Sequence, residues 1–342
     1  MLSLHIDGPR LRKHLAATAS DFGGLVPVAK GNGYGFGIAR LAAYTAELGL
    51  DTIAVGTANE LAALAGGPQF ANVVVLTPLL PGEPVPGDER VVHTAASQAV
   101  LPDLTGRRVV VECRTSLRRH GVVPGELTTM TEALAACRFE GFALHLPLDR
   151  PDGVDPVAEV DVWVQAVAAA SLPTATFWVS HLSAPEVAEL TKRHPGTSFR
   201  SRIGTRLWLG DRGALRARAK VLDVELLERG DRFGYRQHRA KAAGRVVVVA
   251  GGTAHGIGLS APRSVAGLVP RAKTVAEAGL AGVNLALSPF SWAGKQRWFA
   301  EPPHMQVSLL WLPAKVDPPA VGDHLDVETR MTTTTFDAVI EE

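Results

Sequence analysis

Cysteine is nearly absent: Cys113 and Cys137 are the only two in 342 residues. Two thiols cannot staple a disulfide scaffold or complete a thiolate metal site, and Cys113 falls inside a strongly apolar run. A reducing cytoplasm is therefore the expected compartment. No window reaches the roughly 18 uninterrupted apolar residues of a membrane-spanning helix. The opening Met1-Leu2-Ser3-Leu4-His5-Ile6-Asp7 places no basic region before a long apolar stretch, so neither secretion nor membrane insertion is expected. Charge of one sign is missing as well, since 35 Lys plus Arg stand against 34 Asp plus Glu. Without a one-signed field, neither nucleic acid nor an anionic membrane surface is an expected partner, and a small polar substrate is. Repeats and low-complexity tracts are also lacking.

What the chain does have is apolar content, 46% of its residues. A single core usually stops growing at roughly 250 to 300 residues, so two domains are expected. Eight short β-branched runs punctuate the first part, at residues 26–30, 52–55, 73–77, 90–94, 108–113, 139–146, 176–182 and 198–204. Between the first two, Leu41, Tyr44 and Leu48 recur at i, i+3 and i+7 as one buried helical face would, and Gly49 follows as a stop signal. Strand then helix, repeated, means parallel strands, and eight such units in about 200 residues predict an α/β fold of the TIM (β/α)8 barrel type. After Gly210 the pattern changes. Runs at 219–227, 244–250, 305–312 and 324–327 are separated by Gly and Pro turns with little helical period, which predicts a mainly-β C-terminal domain. The expected division is a barrel over 1–215, its first few residues possible members of the β domain, and a β domain over 216–342. Residues 260–303 read as an irregular stretch, a long functional loop or a subunit contact.

In a TIM barrel the chemistry sits where strands end, so polar residues that close apolar runs are the candidates. Lys30 closes the first run, Glu112 and Arg114 the fifth, His145 the sixth, Ser180 and His181 the seventh, and Arg202 the eighth. Lys30 admits two readings from residues alone. Preceded by Val-Pro-Val-Ala it is drawn inward, where desolvation lowers an amine's pKa and makes it a nucleophile toward an aldehyde cofactor. Otherwise it is a strand-end lysine whose ammonium reaches back to water. Gly31, Gly33, Gly35 and Gly37 alternate without the spacing of a dinucleotide loop or a P-loop.

The segment Val28-Ala29-Lys30-Gly31-Asn32-Gly33-Tyr34-Gly35-Phe36-Gly37 resembles the cofactor-lysine signature of alanine racemases, V-K-A-N-A-Y-G-H-G. Three further segments follow in the family's order. Thr115-Ser116-Leu117-Arg118-Arg119-His120-Gly121 is similar to T-G-M-x-R-x-G, Ser201-Arg202-Ile203-Gly204-Thr205 to V-R-x-G-I, and Gly230-Asp231-Arg232-Phe233-Gly234-Tyr235 to G-E-x-V-x-Y. The resemblance spans essentially the whole chain. It implies that Lys30 carries pyridoxal 5'-phosphate as a Schiff base, that Tyr34, Gly204 and, near the seventh strand, Ser183 meet its phosphate, and that Arg202 faces its pyridine nitrogen. It further implies that Arg119 and Met305 lie near the substrate, and that His145 links Arg202 to a catalytic tyrosine.

Racemisation needs an electron sink and two bases on opposite faces of the α-carbon. The resemblance assigns the bases to Lys30 and Tyr235, the latter from the partner in a head-to-tail homodimer. A tyrosine with an ordinary pKa near ~10 is a poor base at neutral pH, so cationic neighbours are required. Several positions depart from the family. Glu112 replaces a lysine that can be carbamylated, and its carboxylate offers an anionic partner to Arg119 directly. Thr253 replaces an entryway tyrosine, Gln306 an aspartate, and Phe336 a phosphate-binding tyrosine whose hydrogen bond phenylalanine cannot make. The implied activity is interconversion of L- and D-alanine. Two alternatives are a racemase or epimerase for another amino acid and a weakly catalytic cofactor-binding protein, and retention of Tyr235 speaks against the last.

Overall fold

The computed structural model describes residues 1–172, 176–259 and 286–342. The chain begins with strand β1 (Leu2–Ile6) and helix α1 (Gly8–Asp21). Eight strands follow: β2 (Leu25–Pro27), β3 (Thr52–Val55), β4 (Asn72–Val75), β5 (Val91–Ala95), β6 (Arg108–Cys113), β7 (Arg138–His145), β8 (Thr176–Ser180) and β9 (Ser198–Ile203). They pair in parallel in the order β2-β9-β8-β7-β6-β5-β4-β3. The ring meets where Val28 bridges Ala54 and the Ala29 amide donates to the Ala54 carbonyl at 2.8 Å. This is the expected parallel barrel.

Its helices are sparser than a strand-then-helix repeat predicts. α2 (Ile38–Glu47) follows β2, a short α3 (Thr131–Ala135) precedes β7, and α4 (Pro156–Ala169) and α5 (Ala184–Arg193) flank β8. α2 buries Leu41 and Tyr44 on the face read from the sequence. The β3–β4 and β5–β6 links contain only 3-10 turns. Residues 76–90, between β4 and β5, carry Pro78, Pro81, Pro84 and Pro86, whose missing amides and fixed φ exclude a helix there.

The barrel interior is a ring of one-strand contributions: Val26 and Val28, Ala54, Val74, Val92, Val110, Ala143 and Trp178. Small Ala54 and Ala143 make room for the indole of Trp178, so the ring is filled rather than open.

Contacts divide the chain into two compact units, residues 12–33 with 37–210, and residues 1–11 with 34–36 and 211–342. The second is an antiparallel-dominated sheet. After α6 (Thr205–Leu209) it comprises β10 (Leu215–Leu227), β13 (Gly244–Ala250), β14 (Leu287–Trp292), β15 (Lys295–Phe299), β16 (Val307–Pro313), β17 (His324–Val327) and β18 (Ala338–Glu341) together with β1, and a separate hairpin of β11 (Arg232–Phe233) and β12 (His238–Arg239). β10 is long enough to pair with β17 through its first half and with β13 through its second, so six strands close on themselves. The expectation of an irregular stretch over 260–303 is corrected in part: residues 287–299 form the β14–β15 hairpin, and residues 260–285 lie outside the described residues. The Ala-Gly turn at Ala293 and Gly294, both at positive φ, supplies the reversal. β1 and β18 carry too few residues for an alternation pattern to show; their pairing partners, not their own composition, make them strands.

Candidate active site

Side chains alternate along a strand, so the residue two positions beyond each member of the interior ring faces the same interior one layer higher. Beyond Val28, Val110, Ala143 and Trp178 stand Lys30, Glu112, His145 and Ser180. On β9, Arg200 places its guanidinium over the Trp178 ring at 4.6 Å, and two residues on comes Arg202. Pleating thus places Glu112, His145, Ser180 and Arg202 at the C-terminal end of an apolar barrel, with Lys30 in the loop just beyond β2.

Arg202 is the centre of this layer. Its Nη1 stands 3.5 Å from Glu112 Oε2 and its Nη2 donates to Ser180 Oγ at 3.3 Å. Ser180 Oγ is in turn 2.9 Å from His145 Nδ1. Arg202 Nε is buried and has no hydrogen-bond partner among the described residues, so one donor of the fork remains available. The sequence reading expected Glu112 to serve Arg119; instead Glu112 pairs with Arg202, and Arg119 acts on it only through space. Burial raises the Glu112 carboxyl above the ordinary range despite the attraction of Arg202 and Arg119. Between His145 and Arg202 stands the Ser180 hydroxyl, within hydrogen-bond distance of both.

Burial and the charges of Arg202, Arg119, His181 and Lys30 push His145 down to about 3, so the ring is neutral at physiological pH. The His181 ring meets it edge-on at 4.9 Å, with the His181 backbone at a φ of 62°. Thr115 Oγ1 donates to the His145 carbonyl at 2.6 Å and ties the end of β7 to the loop after β6.

Lys30 lies three residues past the end of β2 and is solvent-exposed at the rim, yet its amine is lowered from the ordinary lysine value. Partial desolvation is the main cause, followed by the nearby charges of Arg119 and Arg202; Glu60 acts in the opposite sense. Both readings of the residue therefore meet in one side chain: water reaches it, and its cationic form is disfavoured. Glu60 went unnoticed in the sequence because it sits in a 3-10 turn, not at a strand end. It accepts from the Gly31 amide at 2.9 Å and the Gly56 amide at 2.7 Å, fastening the loop that follows Lys30.

Arg119 is exposed on a loop that folds back on β6. The Val122 amide donates to the Glu112 carbonyl at 3.0 Å and the Arg114 amide to the Val122 carbonyl at 2.9 Å. Gly121, at a φ of 120°, makes the return possible: a Cβ there would sit 2.6 Å from Arg114 N. Gly204 opens α6, and Trp208 N–H donates to its carbonyl at 3.0 Å. Ser183 caps α5; its amide and hydroxyl both donate to Glu186 Oε2, at 2.6 and 2.9 Å, so a role as phosphate contact competes with the cap.

In the β-rich unit, Tyr34 is buried in a 3-10 turn at a φ of 54°. Tyr235 and Met305 are 83% and 70% exposed. Tyr235 occupies the turn between β11 and β12, where its ring lies 4.2 Å from that of His304, the residue before Met305. Thr253 and Gln306 are exposed, and Phe336 packs against the β-rich core.

A family model described as alanine racemase, N-terminal domain, matches residues 6–204. No sequence among the curated proteins matches the chain. Solved structures similar to the whole chain include the alanine racemase of D-cycloserine-producing Streptomyces lavendulae, at 17% identity and a TM-score of 0.70, covering 100% of this chain and 97% of that one. The alanine racemase of Bartonella henselae with covalently bound pyridoxal phosphate is similar at 13% identity and a TM-score of 0.71, with 100% and 99% covered. That of Bacillus anthracis with bound L-Ala-P gives 18% identity and a TM-score of 0.69, with 99% and 87% covered.

Proposed function

The chain belongs to the alanine racemase family, and on that premise we propose that it is a pyridoxal-phosphate-dependent amino-acid racemase acting on alanine by a two-base mechanism. The observation that carries the reading is the layer above the barrel core: an accessible lysine amine with a lowered pKa beside a buried arginine that keeps one unpartnered donor. That donor set suits the cofactor. Lys30 would hold its aldehyde carbon, Arg202 Nε–H would meet the acceptor nitrogen of its ring, and Gly204 would meet the phosphate. When bound, the cofactor supplies the electron sink that makes an α-proton removable.

The chain's own groups do the rest. An arginine holds its protons far above neutral pH, so Arg202 would donate to a bound ring nitrogen while keeping its own charge. The buried Glu112 carboxyl balances that charge inside the barrel. Neutral His145 can accept through one ring nitrogen and donate through the other, with Ser180 fixing Nδ1. Arg119, exposed at the mouth, offers a fork to a substrate carboxylate. Lys30 is the base for one face of the α-carbon. Tyr235 is the base for the other, supplied by a second copy of the chain in a head-to-tail homodimer; its exposure, with that of Met305, leaves it free to enter such a partner's site.

A second reading changes only the substrate. Thr253 and Gln306 are shorter or less charged than the tyrosine and aspartate at the matching family positions, which favours a larger side chain. No helix among the described residues is long and apolar enough to cross a membrane. The test is direct. The purified protein with pyridoxal phosphate should interconvert L- and D-alanine, and Lys30→Ala should abolish both the activity and covalent retention of the cofactor. Retention without alanine turnover, and turnover of another amino acid in a screen, would select the second reading. Failure to bind pyridoxal phosphate would remove both.

A further inference from the structure

Tyr235 is the most exposed aromatic residue of its surroundings, yet it is held at three points. Its ring lies against the His304 imidazole, with centroids 4.2 Å apart and planes 30° apart. Its amide donates to both oxygens of Glu301, at 3.1 and 3.3 Å. His304 Nε2 closes the triangle at 2.6 Å from Glu301 Oε1. The Glu301 side chain is only 2% exposed, and Gly234, at a φ of 70°, lets it pass beneath the turn: a Cβ at that position would come within 2.2 Å of Glu301 Oε2.

This arrangement does little for folding. Burying a carboxylate is costly unless every lone pair is used. An 83% exposed tyrosine returns little apolar burial for the rotamer freedom it loses. A buried carboxylate that fixes both the backbone and, through a histidine, the ring of an exposed phenol is an arrangement that presents the phenol to something outside its own unit. We propose that Glu301 and His304 are a positioning pair for Tyr235, holding the phenol at a set angle before a second copy of the chain docks. The inference rests on the reading of Tyr235 as the second base. Neither residue was evident in the sequence, because His304 and Glu301 precede β16 in a Pro-rich loop with no motif of their own.

The pair is tested in the cofactor-loaded enzyme by two readouts. The first is loss of α-deuterium from L- and D-alanine in water, measured separately for each enantiomer, since each base serves one face. His304→Ala and Glu301→Ala should slow exchange on the face that Tyr235→Phe abolishes by about tenfold or more, as a displaced catalytic group does, with KM and the opposite face changed less than about twofold. His304→Phe, which keeps the stacked ring, should restore most of that rate. The second readout needs no turnover. The chain has three tyrosines, so 3-fluorotyrosine labelling gives three fluorine resonances, and the one lost in Tyr235→Phe should shift and sharpen in His304→Ala as the ring is released. Unchanged fluorine and exchange behaviour in His304→Ala would overturn the pair, and so would equal slowing on both faces. If the resonance moves as expected but Tyr235→Phe leaves exchange on both faces intact, the base assignment fails while the ring support stands.

Discussion

Arg202 Nη1 stands 3.5 Å from Glu112 Oε2 with the two side chains 4% and 3% exposed. Inside an apolar barrel neither charge is tolerable alone. Removing one member of such a pair strands the other, at a usual cost of about 3–5 kcal/mol. Glu112→Gln keeps the volume and one acceptor, so a loss at the lower end, about 3 kcal/mol, is expected in urea unfolding of the cofactor-free protein. Glu112→Asp, which keeps the charge on a shorter stem, should lose less. Equal stability of Glu112→Gln and the parent would mean that the pair is not buried as described.

How the layer around Arg202 could be read from sequence follows from the period of a strand. Lys30, Glu112, His145, Ser180 and Arg202 all close apolar runs, and a period of two is enough to put them on one interior face once the strands are parallel. Which of them touch was not legible, because contact depends on register between strands far apart in sequence. Glu112 was expected opposite Arg119, and Arg202, from a strand not paired with β6, meets it across the barrel interior. Ser180 was marked as a strand-end residue, but its place between Arg202 and His145 is a property of β7–β8 register, with His145 beside Ser180. β14 and β15 were missed for a different reason. Their apolar residues are interrupted by Ser, Lys, Gln and Arg, and their neighbours β17 and β16 supply the pairing that composition does not advertise.

The lowered Lys30 amine carries a sign that can be checked. Arg119 is one of two cations that disfavour the protonated form. Arg119→Ala removes that repulsion, so the Lys30 pKa should rise toward the ordinary lysine value and less free amine should be present at neutral pH. Covalent loading with pyridoxal phosphate, trapped by borohydride and read by mass spectrometry across a pH series, should show its inflection at higher pH in Arg119→Ala than in the parent. Glu60→Gln should shift it the other way, because Glu60 raises Lys30. An unmoved inflection in both variants would remove Arg119 and Glu60 from the electrostatics of the lysine.

Ser180→Ala tests the link between Arg202 and His145. The hydroxyl lies 3.3 Å from Arg202 Nη2, 2.9 Å from His145 Nδ1 and 3.3 Å from the Leu144 carbonyl oxygen, to which it donates, and its deletion should cost about 1–2 kcal/mol of stability. The larger effect is expected in turnover: with Nδ1 of His145 no longer fixed, kcat should fall about tenfold while KM stays within about twofold. Ser180→Thr, which retains the hydroxyl, should recover part of the loss. A rise in KM with kcat unchanged would place Ser180 in substrate binding and not in this connection.

His93 makes a prediction about the fold and not about the chemistry. It lies on β5, is 3% exposed, and its Nε2 is buried without a hydrogen-bond partner among the described residues. Burial, with a smaller push from Arg107, lowers it from 6.5 to about 4. In the unfolded chain the ring takes a proton near 6.5, whereas in the folded chain it stays neutral until about 4. Its contribution is therefore intact above pH 6.5 and is lost progressively as the pH falls toward 4, to an upper limit of about 3 kcal/mol at ~1.4 kcal/mol per unit. His145 is depressed as well, to about 3, and destabilises the fold over the same window and below. His93→Gln should thus flatten part of the decline in unfolding free energy between pH 6.5 and 4, and His93→Gln with His145→Gln should flatten more of it. If His93→Gln leaves the slope of stability against pH unchanged, the ring takes its proton at the same pH in the folded and unfolded chain, and its burial on β5 does not depress it.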